Sequence, residues 1–549
     1  MIQTKTDPRH SADASGTGTS RRVVIAGGGP VGMSAALELA LHGIDSIILE
    51  SRKRDQDFPP RSHFANARSM EHFRRWGIAD SLRRLNPIGP EFKRDLRFVT
   101  RLGGFNIASY EKVCQWDVLP FASEPPEWAP NPAFERALRD KVEALGIEIR
   151  YEHSVTGFDQ REDGVAVRYT SPQGDGEVFG AYLVGADGSR SVVRRELGIR
   201  MEGMADLIQA SSWLVHAPTL KPHLLALGSA VYYWFLNEQR TSVMIFPEDS
   251  EGHYMFGYGP NPPGVDGNDW EAVKAQIYRD TGLEFPMEPL AGGSFGVHSL
   301  MAPNFVNGRV LIAGDAAHLI SPFGGFGMNI GIGDAADLGW KLAAVLNGWG
   351  GEKLLASYTD ERREAEAWLL QLCIENTMMI GPELSRPGME EDSPAGAQVR
   401  AELGEIIMSE KSKQFLSFGG QLGYQYRQSP IVADDGSEFP PLSMTHYVPS
   451  ARPGCRAPHR WLADGSSLFD HFGKGFTVLR LDASLSTAGL EAAAAARGVP
   501  LKVLTLEDGE LLGLYEQPLA LIRPDQHVAW RGSNEPADSA ALLDLVRGA

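Results

Sequence analysis

Cysteine is scarce. Three occur in 549 residues: Cys114, Cys373 and Cys455. They are odd in number and far apart, so neither a disulfide framework nor a CxxC redox or metal motif is available. No metal is expected, and the scarcity points to a reducing, cytoplasmic compartment. Basic charge is also in deficit. Lys and Arg number 52 against 70 Asp and Glu, a net charge of −18. A general nucleic-acid binder needs a basic face, so this balance argues against that class. No uninterrupted apolar run approaches the ~18 residues of a membrane span. The best candidate, 338–349, is broken by Lys341, Asn347 and Gly348. Residues 1–20 have no apolar leader core, and their Ser, Thr, Gly and Asp content reads as a flexible tail.

Glycine is what the chain has in excess. Sixty residues, about 11%, stand against a usual ~7%. There is no collagen-like period, and the chain is 43% hydrophobic and 22% charged. A globular chain of this kind needs many backbone turns free of a Cβ. The excess gathers at 27–32, 185–188, 314 and 324–333.

The first cluster follows a short apolar run. Residues 21–26 (RRVVIA) read as a buried parallel strand, 27–32 (GGGPVG) as a turn, and 33–42 as a helix closed by Gly43. A second strand, 46–49, ends in Glu50, followed by Ser51 and Arg52. This is GxGxxG in its strand–turn–helix–strand context, with the acidic residue about 20 positions on. Gly27 permits the tight turn, Gly29 lets the backbone approach a pyrophosphate, and Gly32 lets the helix pack on the strand. Pro30 and Val31 lie in the turn, and the N–H groups of the helix start that follows face the phosphates. Glu50 can accept hydrogen bonds from both hydroxyls of an adenosine ribose. The motif alone does not separate NAD from FAD.

Two further strands end in Gly-Asp or Asp-Gly turns. Residues 181–194 (AYLVGADGSRSVVR) place Asp187 and Gly188 at a strand end, with Arg194 in the following helix. Residues 309–318 (RVLIAGDAAH) place Gly314 and Asp315 likewise, and 321–329 (SPFGGFGMN) then leads into a helix. There is no second strand–GxGxxG–helix unit, since Gly331 and Gly333 lie in a helix-like stretch. Any nicotinamide cofactor is therefore expected to bind briefly and leave.

On these three motifs, their order and their spacing, the chain from about residue 21 onward resembles the single-component FAD monooxygenases of the p-hydroxybenzoate hydroxylase type. The resemblance implies an α/β architecture: a Rossmann-like FAD-binding domain with an interleaved antiparallel-sheet substrate domain and a C-terminal thioredoxin-like domain. The expected boundaries are 21–200 and 299–385 for the FAD-binding parts, 201–298 for the substrate domain, 386–445 for a helical linker and 446–549 for the last domain. Asp315 would hold the ribityl chain. Asp187, Gly188 and Arg194 would serve the pyrophosphate and transient NADPH or NADH. Pro322 would lie beside the flavin ring, with the backbone at Gly325, Gly327, Met328 and Asn329 facing its N1–C2=O edge. A helix N-terminus there would stabilise the anion of reduced flavin.

Residues 59–71 (PPRSHFANARSME) resemble the segment that runs under the flavin in phenol-type hydroxylases. Arg61 matches an arginine that touches FAD. His63 matches a histidine at the active site, which could accept a phenolic proton at neutral pH. Asn131 stands where the family carries a glutamine that contacts FAD.

Residues 230–236, 240–246 and 253–258 alternate as antiparallel strands. Period two puts Tyr232 and Trp234 on one face and Val231, Tyr233 and Phe235 on the other. Either face could roof a flat aromatic substrate, with Tyr232, Trp234, Pro322 and Phe323 as candidate contacts beside His63. Residues 360–430 read as interrupted helices, and 382–396 as a loop because of its prolines and glycines. The C-terminal domain lacks CxxC, which leaves it a structural or oligomerisation role, with a homodimer as the assembly considered.

The resemblance implies hydroxylation of a small phenolic aromatic with NAD(P)H and O2 through a flavin C4a-hydroperoxide, ortho to an existing hydroxyl. Epoxidation, other ring modification, or dehydrogenation in polyketide or other secondary metabolism remains as an alternative.

Overall fold

A computed structural model describes residues 21–56, 63–113, 121–379 and 384–549. Arg61 and Cys114 lie outside the described residues, as does the 1–20 tail.

The central sheet has six strands in the order Val306–Asn307, Val310–Ile312, Tyr182–Gly185, Val23–Ala26, Ser46–Leu49 and Glu148–Arg150. The last five run parallel. The middle strands are buried on both faces, which is why they read as short unbroken apolar runs. The helices Pro30–Leu41 and Gly327–Leu346 pack together beside this sheet. A Cβ on Gly331 would lie 2.5 Å from Val31 Cγ2, and one on Gly339 would lie 2.5 Å from Glu38 Cγ. A Cβ on Gly333 would lie 2.8 Å from the Arg362 guanidinium. The glycines at 331 and 333 lie within this helix and allow its close packing against Val31 and Arg362.

An eight-stranded sheet forms the second layer. Its order is His318–Leu319, Glu288–Met301, Glu202–His216, His253–Tyr258, Arg240–Pro247, Tyr232–Asn237, Leu96–Val99 and Asn106–Tyr110. It is antiparallel except where Tyr232–Asn237 runs parallel to Leu96–Val99. The strands expected within 201–298 are present, but the sheet also recruits two from 96–110 and one from 318–319. A separate three-stranded meander covers Ser154–Gln160, Val165–Ser171 and Gly174–Gly180.

Four helices, Lys353–Met378, Pro394–Glu410, Ser412–Phe415 and Phe418–Leu422, follow the second half of the dinucleotide fold. The loop expected over 382–396 ends earlier among the described residues. Pro394 opens a helix, and the Ser393 hydroxyl accepts from the Gly396 N–H at 3.0 Å. A proline in the first helical turn removes an N–H that has no intrahelical partner anyway.

The C-terminal sheet runs Leu501–Thr505, Phe476–Arg480, Leu519–Ile522, Val528–Gly532. The first pair is parallel and the other two antiparallel. With the helices Ala488–Arg497, Gly509–Tyr515 and Ser539–Val546 this is a thioredoxin-like arrangement. Cys373 and Cys455 are free and buried. The domain is fastened by buried charge. Arg523 donates to Asp337 at 3.0 Å, Glu361 at 2.9 Å and Asp525 at 2.7 Å, and Lys341 donates to Asp337 at 2.7 Å and Glu361 at 2.6 Å. Arg456 donates to Glu71 at 2.9 Å.

Candidate active site

The first turn has the strain that only glycine relieves. Gly27 sits at φ +103°, and a Cβ there would lie 2.3 Å from the Ala186 carbonyl oxygen. A Cβ on Gly32 would lie 1.9 Å from the Gly27 carbonyl oxygen. At Gly29 the added Cβ meets no protein atom within 4 Å. Gly29 is also the N-cap of the helix Pro30–Leu41, and no side chain caps it. An open space in front of unpaired N–H groups is an anion site.

Glu50 closes one side. Its carboxylate accepts from Gly28 N at 2.6 Å, Arg52 N at 2.7 Å and Arg52 Nε at 3.0 Å. Ser51 Oγ donates to it at 3.3 Å. Burial opposes its charge, but Arg52 and the two N–H groups outweigh that and hold the carboxyl below its usual range. Arg52 reaches on to Glu135 at 3.1 Å, and Asn131 donates to Glu135 at 2.9 Å. Glu135 thus joins Asn131 to the Glu50 side of the cradle. Sequence reading passed over it, although it lies one helical turn after Asn131.

The two Gly-Asp loops meet the same cradle. Asp187 accepts from Ser191 Oγ at 2.5 Å and from Val192 N and Val193 N at 2.7 and 3.1 Å. Its carboxylate fixes the start of the short helix Val192–Glu196. Gly188, at φ +78°, has open space where a Cβ would stand. Arg194 donates to Ala316 O at 3.1 Å and Ser189 O at 3.0 Å, so it straps one loop to the other. Its burial pushes the guanidinium below its usual range.

Gly314, at φ +60°, leads a single 3-10 turn on which Asp315 is exposed. Beneath it lies a fully buried network. Asp334 accepts from Gly314 N at 2.9 Å, His318 Nε2 at 2.8 Å and Arg362 Nε at 2.9 Å. Glu366 lies 3.3 Å from Arg362. Burial and the Asp334 carboxylate push Glu366 well up, whereas His318 and Arg362 overcome burial at Asp334 and hold it low. His318, Asp334 and Glu366 are close enough to hold a cation, but the Arg362 guanidinium already supplies that charge. Asp334 lies 20 residues beyond Gly314, so no local motif disclosed it.

The edge expected to face a flavin is built from two segments. Pro322 is exposed, and its carbonyl accepts from Gly324 N at 2.9 Å and Gly325 N at 3.1 Å. Gly325 sits at φ +70°, and the helix Gly327–Leu346 starts without a side-chain cap. A Cβ on Gly327 would meet nothing within 4 Å. Met328 packs against the Rossmann core. The Asn329 amide accepts from Asn66 N at 2.8 Å and donates to Phe64 O at 2.9 Å and Gly325 O at 2.6 Å. It ties the strand after His63 to the helix start. Uncapped helix N-termini at Gly29 and Gly327, with open cradles at Gly29, Gly188 and Gly327, fit a ligand with a pyrophosphate and a ring carrying an anionic edge.

His63 sits where this edge meets the eight-stranded sheet. It is buried, and its ring stacks on Phe246 at 5.0 Å and Trp128 at 5.9 Å between centroids. Its Nε2 is hydrogen-bonded to Glu248, also buried. Tyr232 and Trp234 share one face, as period two expects, with rings 5.9 Å apart. Tyr232 stands 4.2 Å from Phe246. Trp234 is fully buried under Phe98, Phe415 and Lys411. Phe323 is buried too, in contact with Gly259. Sequence reading missed Glu248, which lies 185 residues from His63.

Comparison with known proteins bears on the family. A family model described as FAD binding domain matches residues 20–372, and one described as aromatic-ring hydroxylase, C-terminal, matches 450–548. The tetracenomycin A2 monooxygenase-dioxygenase of Streptomyces glaucescens is 31% identical, over 95% of this chain and 95% of its own. The phenol 2-monooxygenase of Pseudomonas sp. (strain EST1001) is 28% identical, over 96% and 92%. The rebeccamycin biosynthetic enzyme RebC, solved with reduced flavin, superposes with a TM-score of 0.87 at 34% identity, over 96% and 99%. None of the described helices is long and apolar enough to cross a membrane. The open cradle of Gly29, the acid of Glu50, the two strapped Gly-Asp loops and these matches lead to one assignment: the chain belongs to the FAD-dependent aromatic-ring monooxygenases.

Proposed function

We propose that the protein hydroxylates a phenolic ring, ortho to an existing hydroxyl, using NADPH or NADH and O2. The observation that carries this reading is His63, a buried histidine among aromatic rings. It is one residue from the Phe64 carbonyl that Asn329 binds at the flavin-facing helix. When bound, FAD supplies reduction by the nicotinamide and activation of oxygen.

The chain's own residues do the rest. The Gly27–Gly32 turn, with Pro30 and Val31, would receive the pyrophosphate on backbone N–H groups. Glu50 would take the adenosine ribose, with Ser51, Arg52 and Asn131 beside it. Asp187, Gly188 and Arg194 would line the pyrophosphate side, and Asp315 the ribityl chain. Pro322, Gly325, Gly327, Met328 and Asn329 would border the ring. Tyr232 and Phe246 would wall the substrate, and burial of the site would exclude water. His63 would accept the phenolic proton, which enriches the ring carbon that is to be oxygenated. The names of relatives acting on phenol and on tetracenomycin A2 suggest a substrate range from single rings to fused ones.

The test is a panel of simple and fused phenols, scored by accelerated NAD(P)H oxidation and by product mass. A phenol that speeds NAD(P)H oxidation and gains one oxygen supports the reading. Dehydrogenated or unmodified products throughout the panel would refute it. His63→Ala tests the base: the proposal expects the hydroxylation rate to fall roughly 100-fold or more, in the range general bases contribute.

A further inference from the structure

Glu248 has no place in the FAD cradle, and its burial demands an explanation. A buried carboxylate costs several kcal/mol unless paired. Among the described residues its one side-chain partner is His63 Nε2. Neither Lys nor Arg reaches it there. Its backbone is fixed at the end of the strand Arg240–Pro247, where Glu248 N donates to His253 O at 2.9 Å. The imidazole is fixed as well. Phe246 and Trp128 stack on its face at interplanar angles of 11° and 22°, and the His63 carbonyl accepts from Ala129 N at 3.0 Å. Among the described residues, His63 Nδ1 makes no hydrogen bond. Among the described residues the ring therefore has one nitrogen committed to a carboxylate and the other without a partner.

We propose that Glu248 is the positioning residue for the proton-accepting His63, an inference that rests on the phenol-hydroxylating reading above. Glu248 holds the proton of neutral His63 on Nε2, so the Nδ1 lone pair is the accepting site. When a phenol binds, its O–H bond breaks and the electron pair stays on oxygen. The proton forms a bond to Nδ1, and the resulting imidazolium faces the Glu248 carboxylate. The step moves one proton and needs no oxidant. Carboxylate–imidazole pairs act in this way elsewhere, fixing the tautomer and stabilising the cation without taking the proton. A neutral amide in place of Glu248 can donate to Nε2, which moves the ring proton to Nδ1 and removes the acceptor.

The test compares wild-type holoenzyme with Glu248→Gln, Glu248→Asp and His63→Ala. Bound FAD, kcat and KM are measured with the best phenol of the panel. The absorbance of bound 4-nitrophenol is measured at a pH where the free compound is neutral. Wild type should bind 4-nitrophenol as the phenolate. Glu248→Gln should keep FAD and bind it as the neutral phenol, with kcat lowered roughly 100-fold and KM changed little. Glu248→Asp should restore part of both signals, which a role in folding alone would not do. If His63→Ala loses phenolate binding and turnover while Glu248→Gln retains both, the inference falls and the base reading stands. If His63→Ala retains both, the base reading falls and the inference with it. If Glu248→Gln loses FAD, Glu248→Asp decides: a holoenzyme with full phenolate signal but no gain in turnover over His63→Ala overturns the proposal.

Discussion

Gly29 and Gly32 stand three residues apart in one motif, yet alanine should act at each by a different mechanism. Gly29 has φ −76°, which alanine tolerates, and its added Cβ meets no protein atom within 4 Å. Alanine is a poorer N-cap than glycine by roughly 0.5–1 kcal/mol. Its smaller unfolded-state entropy returns about 0.4–1 kcal/mol. The apoprotein should therefore unfold within ~0.5 kcal/mol of wild type. The methyl group would fill the space in front of the N–H groups, however. Hydrogen bonds to a charged group are worth about 1.5–3 kcal/mol, so losing one raises the Kd for FAD roughly 10- to 100-fold. Gly32→Ala should behave otherwise. Its Cβ would stand 1.9 Å from the Gly27 carbonyl oxygen, and backbone cannot yield as a side chain does. The helix Pro30–Leu41 must move off the strand, at a cost of about 1–3 kcal/mol or more in the absence of any ligand. Thermal unfolding of both apoproteins and a flavin-fluorescence titration separate the two effects. Wild-type FAD affinity in Gly29→Ala, or equal destabilisation of the two apoproteins, would rule out separate roles for the two glycines.

Three other perturbations probe the scaffold. Glu38 is fully buried beneath Arg75, Trp76 and His42; burial opposes its charge, but Arg75 and His42 outweigh it and hold its carboxyl down to about 2. A depressed folded-state value gives stability that is present above the ordinary 4.5 and is lost as pH falls toward about 2, worth roughly 3 kcal/mol. Thermal scans across that window should show less acid destabilisation in Glu38→Gln than in wild type. Asp334→Asn leaves the Arg362 guanidinium without its full counter-charge and should cost about 3–5 kcal/mol, with weaker FAD retention because Gly314 loses its anchor; calorimetry and bound-flavin ratio report both. Arg523→Ala strands Asp337, Glu361 and Asp525 beside Lys341. A similar loss is expected, read as earlier proteolytic release of the C-terminal domain.

What was legible in the sequence was what the backbone dictates locally. Gly27 and Gly32 are required by contacts made within their own turn or with the neighbouring loop at Ala186, so the motif carries its geometry with it. The stacked Tyr232 and Trp234 follow from the alternation of one strand. Buried charged pairs are not legible in the same way, because their partners are distant in the chain. Glu248 meets His63 across 185 residues, and Arg456 meets Glu71 across 385. The strands Leu96–Val99 and Asn106–Tyr110 joined the larger sheet for the same reason: pairing depends on a partner edge that the local pattern does not name. Pro394 reads as a break in the sequence because a proline within a pattern and a proline opening a helix look alike without the Ser393 cap.

Turnover under isotopically labelled dioxygen, with NAD(P)H and the best phenol of the panel, decides whether a phenolic ring is oxygenated at a site served by His63. The expected result is one labelled oxygen atom in each molecule of product, on a carbon adjacent to the original hydroxyl. NAD(P)H consumption that yields an oxidised product without label would contradict it.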